Sequence, residues 1–235
     1  KIPATVNRPV SFLNIEYIRV GSVTRKLKDF PQKESKIWKG NQKAIESIVL
    51  KSGLTEAQVM SLLSSETYFD MMHLPIPSDT KGVMDRFLSE KIILIDPVGY
   101  SITELGALLL AKNLADFDLL RRKSVRVIVY KGKNKLDTTR EQQFNSGYAL
   151  CFKNLVDWIN GQLPMNEEIG TALRTEVRMY PEIAVREIVA NMLIHQDLAE
   201  QGFPMVEIYP DRIDFSNSGQ PVINYERFID PVFNS

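Results

Sequence analysis

One cysteine, Cys151, stands among 235 residues, so no disulfide can form within the chain. No basic, apolar leader opens the sequence, and together these two absences point to a reducing cytoplasm. Long hydrophobic runs are lacking too. The longest candidate, ELGALLLAKNLADF, is interrupted by Lys112 and Asn113, well short of the roughly 18 apolar residues that a membrane span needs. Net charge is also missing, with 29 Lys and Arg against 29 Asp and Glu. What is present, 44% hydrophobic and 25% charged residues, is the composition of a globular chain long enough for one large domain or two small ones.

The zero net charge conceals an uneven distribution. Lys1–Lys43 holds 10 basic residues against 3 acidic, a net of +7, so the remainder carries −7. Such asymmetry suggests a basic piece that meets phosphates joined to a piece with another task; a solvated lysine-rich linker is the plainer alternative. The chain starts at Lys1 without methionine, enters the extended segment NIEYIRVGSVTRKL almost at once, and ends at PVFNS without a closing helix. It therefore reads as a fragment whose first strands finish a domain begun elsewhere.

From Asn41 the spacing of Ala44, Ile45, Ile48 and Val49 predicts a helix broken at Gly53. Thr55 then caps a second helix in EAQVMSLLS. A third helix, TKGVMDRFLSEKII, leads into two short strands around Asp96, Pro97 and Gly99, an outline that resembles a winged helix. That third helix carries Lys81, Arg86 and Lys91 against Asp85 and Glu90, so it lacks the basic face of a major-groove reader. His73, alone among apolar residues in MMHLPIP, reads as structural, and Cys151 as a buried thiol rather than a nucleophile.

VRVIVYKG predicts a strand covered on both faces, followed by an amphipathic helix from about Thr139 to Gly161, a strand in ALRTEVRM, a helix in YPEIAVREIVANMLIHQDL, and two strands in PMVEIYP and RIDFSNSG turning at Pro210 and Asp211. This order implies an α/β sandwich with helices on a mixed sheet. Within the last helix Glu187, Asn191 and His195 recur at steps of four among aliphatic residues, forming one polar stripe. The stripe is either a site or a buried hydrogen-bond network that fixes the helix to the sheet.

Glu187 and Asn191 in EIVAN resemble the N-box of the superfamily that includes DNA gyrase, MutL and histidine kinases. That resemblance implies that Asn191 holds Mg²⁺ through a nucleotide and that Glu187 is the general base. A hard cation needs oxygen ligands, and a base must share its face one turn away. DFSNSGQPV stands where the superfamily's adenine-recognising aspartate-glycine turn falls, with Asn217 in place of the aspartate, Gly219 retained, and Pro221 where a second glycine is usual. A longer likeness, through RVGS, REIVAN with HQD, and DRIDFSNSG, is to a family of bacterial RecG-related transcriptional regulators. In these a Schlafen-type AlbA-like DNA-binding domain precedes a degenerate ATPase-like module. No GxxxxGK[ST] loop is present.

The resemblance divides the chain into 1–40, the end of an AlbA-like domain; 41–120, a helical, winged-helix-like segment; and 121–235, an α/β module of the gyrase and histidine-kinase type, truncated before its lid. It implies a cytoplasmic bacterial DNA-binding regulator that forms homo-oligomers, with Arg19, Arg25, Lys26 and Lys28 on phosphates. Asn191, Asn217 and Gly219 would mark a nucleotide pocket for ATP and Mg²⁺. An Mg²⁺-dependent ATPase or switch with Glu187 as base is the alternative reading, and a dimerisation or protein-interaction scaffold is a third.

Overall fold

The structure, a computed structural model, describes residues 10–12, 15–31, 33–34, 44–163, 165–169 and 174–219, with the backbone alone for 10, 165–169 and 174–178. Of the basic residues counted in Lys1–Lys43, Lys1, Arg8, Lys36, Lys39 and Lys43 lie outside the described residues, as does Pro221. Two compact units divide the chain; the described part of the first runs from Val10 to Ala44, and the second is Ile45–Gly219.

In the first unit β1 (Val10–Phe12), β2 (Ile15–Val20) and β3 (Val23–Lys26) form an antiparallel sheet in sequence order. Gly21, at φ +63, supplies the left-handed position of the tight turn inside RVGS. A 3-10 turn, Leu27–Asp29, follows and buries Leu27 completely.

The second unit opens with β4 (Val49–Leu54), where the spacing had predicted a helix. Residues 45–47 form a turn, and β-branched Val49 goes extended because β6 (Gly99–Thr103) offers a partner: Val49 lies opposite Thr103 and Leu54 opposite Tyr100. Two register shifts interrupt the pairing, and Gly53 sits among them at φ +66. The predicted cap then appears. Thr55 and Gln58 close a capping box at the start of α1 (Glu56–Leu62). Ser64 and Asp79 cap α2 (Ser65–Met71) and α3 (Thr80–Ser89) by accepting from the Thr67 and Gly82 N–H groups, without the reciprocal half of the box. β5 (Ile93–Asp96) and β6 form the expected hairpin, giving the strand order β4-β6-β5, and α4 (Glu104–Leu110) follows with Thr103 as its cap.

The larger sheet has the order β12-β11-β7-β8, formed by β7 (Val125–Tyr130), β8 (Thr138–Phe144), β11 (Met205–Ile208) and β12 (Ile213–Ser216). β11 pairs parallel with β7 and every other pairing is antiparallel, so the sheet is mixed, as anticipated. β7 is buried on both sides. Val125 and Val127 join the main core, while Ile128 and Tyr130 form a smaller cluster with Tyr209.

The predicted long helix from Thr139 divides in two. Residues of β8 are taken up by the edge of β7, with Arg126 opposite Gln143 and Ile128 opposite Glu141, and the helix begins only at α5 (Tyr148–Gln162). The exposed, polar β8 carries no alternation that could have announced a strand. Gly147 marks the break: a Cβ there would collide with the Leu109 carbonyl, while its own N–H donates to Ala111 O at 2.7 Å.

A separate hairpin, β9 (Met165–Ile169) with β10 (Arg174–Arg178), precedes α6 (Glu182–Ile194). Leu155 and Ile159 of α5 and Val185 and Val189 of α6 pack with Val206 and Ile208 in one hydrophobic core. The order of elements is thus an α+β chain whose second unit ends in helices laid on a mixed sheet.

Candidate functional site

α6 turns Val185, Val189, Met192 and Leu193 inward. Glu187 and Asn191 are exposed on its outer side, one turn apart, and His195 is exposed where the helix stops, its N–H donating to Asn191 O at 3.0 Å. The stripe therefore faces outward, and the alternative of a buried network made by these three residues does not hold. Ile183, Ile188 and Ile194 are exposed beside them, at 66%, 44% and 73%. The exposed side of α6 is thus mixed, with these three isoleucines beside Glu182, Arg186, Glu187 and Asn191.

The other two candidates meet the same helix at its end. The Asn217 side-chain amide donates to Met192 O at 2.9 Å, which ties the side chain to the helix end through its nitrogen. Asp197 N–H donates to Ser218 O at 2.7 Å. Gly219 follows at φ +129, where a Cβ would lie 3.2 Å from the Asp197 Cβ, so this close approach favours glycine. Glu187, Asn191, Asn217 and Gly219 thus belong to one helix and to the turn fastened on its last carbonyls.

Behind that turn lies a buried polar group that the sequence did not single out. Lys123, 2% exposed, donates from Nζ to Asp197 O at 3.1 Å and to Glu200 O at 2.6 Å. Loss of hydration pushes its ammonium pKa down, against the opposing pull of Asp197, Glu104 and Glu200. Glu104, also buried, has its carboxyl pushed up by desolvation, with Lys123 acting the other way. Tyr148 OH donates to Lys123 O at 2.8 Å, and Gln196 Nε2 donates to Tyr148 OH at 2.8 Å and to Leu193 O at 2.9 Å.

HQD thus splits into three roles. His195 ends the helix in solvent, Gln196 ties that end to α5, and the Asp197 backbone joins Lys123 to the Asn217–Gly219 turn. The available signal was a lysine at the head of an apolar strand, hidden in the basic run Arg121–Lys123. Cys151 is buried as expected, and burial pushes its thiol up to about 11, which makes it a poor nucleophile.

The basic candidates lie in the first unit. Register sets Arg19 opposite Thr24, Lys26 opposite Tyr17 and Arg25 opposite Ile18, so Arg19 and Lys26 share one face of the sheet and Arg25 projects from the other. Arg19, Arg25, Lys26 and Lys28 are all exposed and have no ion pair among the described residues. Lys26 and Lys28, with Ile15 and Glu16, line a cavity of about 230 Å³. Among the described residues no cluster of His, Cys, Asp and Glu could hold a metal ion, and no helix is long and apolar enough to cross a membrane.

No protein-family model matches the chain, and no curated protein does. Among solved structures it is similar to the DIP2311 protein from Corynebacterium diphtheriae. The TM-score is 0.50 and the identity 17%, over 88% of this chain and 40% of that one. At that identity the likeness concerns the fold alone, and this chain spans about 40% of the length of that protein.

Proposed function

We propose that this chain belongs to a cytoplasmic bacterial DNA-binding regulator, in which the basic first unit contacts the DNA backbone and the α/β module serves as a sensor or assembly element. The supporting observation is the β2–β3 hairpin: Arg19, Arg25 and Lys26, with Lys28 just beyond, stand exposed and, among the described residues, without an ion pair, in a segment of net charge +7. Exposed cations on a strand pair that meet DNA release its phosphate counterions, giving affinity without sequence choice. The test is DNA binding across a salt series with the full chain and its Arg25→Ala/Lys26→Ala variant. Weaker binding and a salt slope reduced by about two are expected from two lost phosphate contacts. An unchanged slope removes these residues from the reading.

A second reading, a nucleotide-responsive or ATP-hydrolysing module, is favoured by the α6 face. Glu187 and Asn191 are exposed and one turn apart, and the Asn217 amide nitrogen is anchored to the same helix, which leaves its carbonyl oxygen unused by that bond. That oxygen can accept from an adenine amino group, Asn191 can offer an oxygen to a nucleotide-bound Mg²⁺, and Glu187 has the reach of a general base. Calorimetric titration of Mg·ATP into the full chain and into Asn191→Ala tests it: binding lost in the variant supports a pocket, and no binding to either leaves a scaffold. Turnover that survives Glu187→Ala would assign hydrolysis elsewhere.

The strand order β4-β6-β5 with α1 to α3 supports a winged-helix-like character for the middle of the chain, and the α6 end of the second unit supports a degenerate fold of the gyrase and histidine-kinase type.

A further inference from the structure

The β5–β6 hairpin and α3 carry chemistry that the regulator reading leaves unused. Register aligns Leu54, Tyr100 and Ile95 as one row across β4, β6 and β5. The row runs out from the core: Leu54 and Tyr100 are half-buried, Ile95 is 78% exposed, and Val98 at the hairpin tip is 82% exposed. Two large aliphatic side chains presented this openly beside an aromatic ring form a small apolar ledge of the kind that marks contact surfaces.

The rim of that ledge is acidic. Tyr100 OH donates to Glu56 Oε1 at 3.3 Å, and Asp85 of α3 lies close enough to act on the same phenol. Asp96 lies on the opposite face of the hairpin, where its carboxylate accepts from the Val98 N–H and the Ser101 hydroxyl, so the rim rests on Glu56 and Asp85. The arginine of α3 is already engaged: Arg86 Nε donates to Tyr68 OH at 2.8 Å, and a second guanidinium nitrogen pairs with Glu90 at 2.9 Å. Residues 45–110 hold nine acidic against four basic side chains, and with the buried Glu104 set aside eight acidic against four basic remain. A surface of that sign repels phosphate, so nucleic acid is a poor occupant for a helix and hairpin that would otherwise have the shape to meet it.

A protein segment with aliphatic side chains among lysines and arginines satisfies both the ledge and its rim. The chain itself carries one, since Lys1–Lys43 combines its net charge of +7 with Val10, Phe12, Ile15, Ile18 and Val23. We infer that the face formed by Tyr100, Ile95, Val98, Glu56 and Asp85 is a self-association surface that takes the basic segment of a second copy of this chain. Charge steers the encounter and the ledge holds it.

The test is sedimentation velocity of the full chain, without DNA, over a wide concentration range at low and high salt, beside Ile95→Lys/Val98→Lys and Ile95→Ser/Val98→Ser variants. Both positions are solvent-exposed, so the substitutions leave the core intact. The expected result is concentration-dependent association that weakens with salt, falls about tenfold in the serine variant, and falls further in the lysine variant, where like charge meets the basic segment. A single species at every concentration overturns the inference, as does association indifferent to both variants. DNA affinity lowered by serine and raised by lysine, with no change in association, would make the face a nucleic-acid reader and overturn it equally. Failure of the basic unit to bind DNA would leave this experiment unaffected.

Discussion

Replacing Lys123 by methionine should unfasten the turn that carries Asn217 and Gly219. The ammonium makes two hydrogen bonds to carbonyls, at 3.1 Å to Asp197 and 2.6 Å to Glu200. Each charge-assisted bond is worth about 1.5–3 kcal/mol when made. Methionine fills nearly the same volume, so no cavity adds to the loss. Two terms reduce it: the desolvated ammonium no longer has to be buried, and the half-exposed 197–200 loop lets water reach part of the carbonyl surface. The net cost should be about 2 kcal/mol, a fall in Tm of about 4–8 °C for a unit of this size.

Urea unfolding should show a lower midpoint at unchanged slope. Hydrogen exchange should show the Asp197 amide, which donates to Ser218 O, exchanging faster while β7 and α5 keep their protection. The pH dependence carries its own sign. The folded ammonium pKa lies below the ordinary 10.5, so in the window between the two values the unfolded chain binds the extra proton and stability rises with pH. Wild type should therefore gain on Lys123→Met as pH rises through the lowered value. A stability change within about 0.5 kcal/mol, with exchange at Asp197 unaltered, would refute the clamp.

Glu104→Gln should be neutral or stabilising at pH 7. Desolvation raises the folded carboxyl, so its contribution is fully present only below the unfolded value and is lost as pH rises through the folded one; urea midpoints from acid to neutral pH test this. Asn217→Asp, although it restores the residue usual in the superfamily that this turn resembles, should cost about 1 kcal/mol, because a carboxylate oxygen would face Met192 O where a donor now stands; chemical denaturation measures it. Cys151 should react with a thiol reagent at pH 8 at least about 100-fold more slowly than a free thiol, since a pKa of about 11 against 9.0 leaves about a hundredth of the thiolate before burial is counted; a rate matching a model thiol would contradict its buried position.

How much of this was legible in the sequence varied with what each segment packs against. Thr55 announced its helix because a capping box is local chemistry, complete within four residues. The β5–β6 hairpin and the strands on either side of Pro210 were equally local. β4 and β8 were not, since each is a strand only because another segment lends it a hydrogen-bonding edge, β6 and β7 respectively. Ala44 to Val49 spaces its aliphatic residues acceptably for a helix, and tertiary pairing overrides that preference.

The polar stripe on α6 shows where periodicity stops. Steps of four establish that Glu187, Asn191 and His195 share a side of the helix but not whether that side is inside. Here the usual arbiter, an excess of apolar residues on one face, fails, because Ile183, Ile188 and Ile194 are exposed while Val185, Val189, Met192 and Leu193 are buried. The outer side mixes those isoleucines with Glu182, Arg186, Glu187 and Asn191, so the helix has no clean polar face to mark it as outside. The sheet and α5 cover one side. The other carries Glu187 and Asn191 one turn apart among exposed isoleucines, and the titration of Mg·ATP into the full chain and into Asn191→Ala is the measurement that separates a ligand face from plain helix surface.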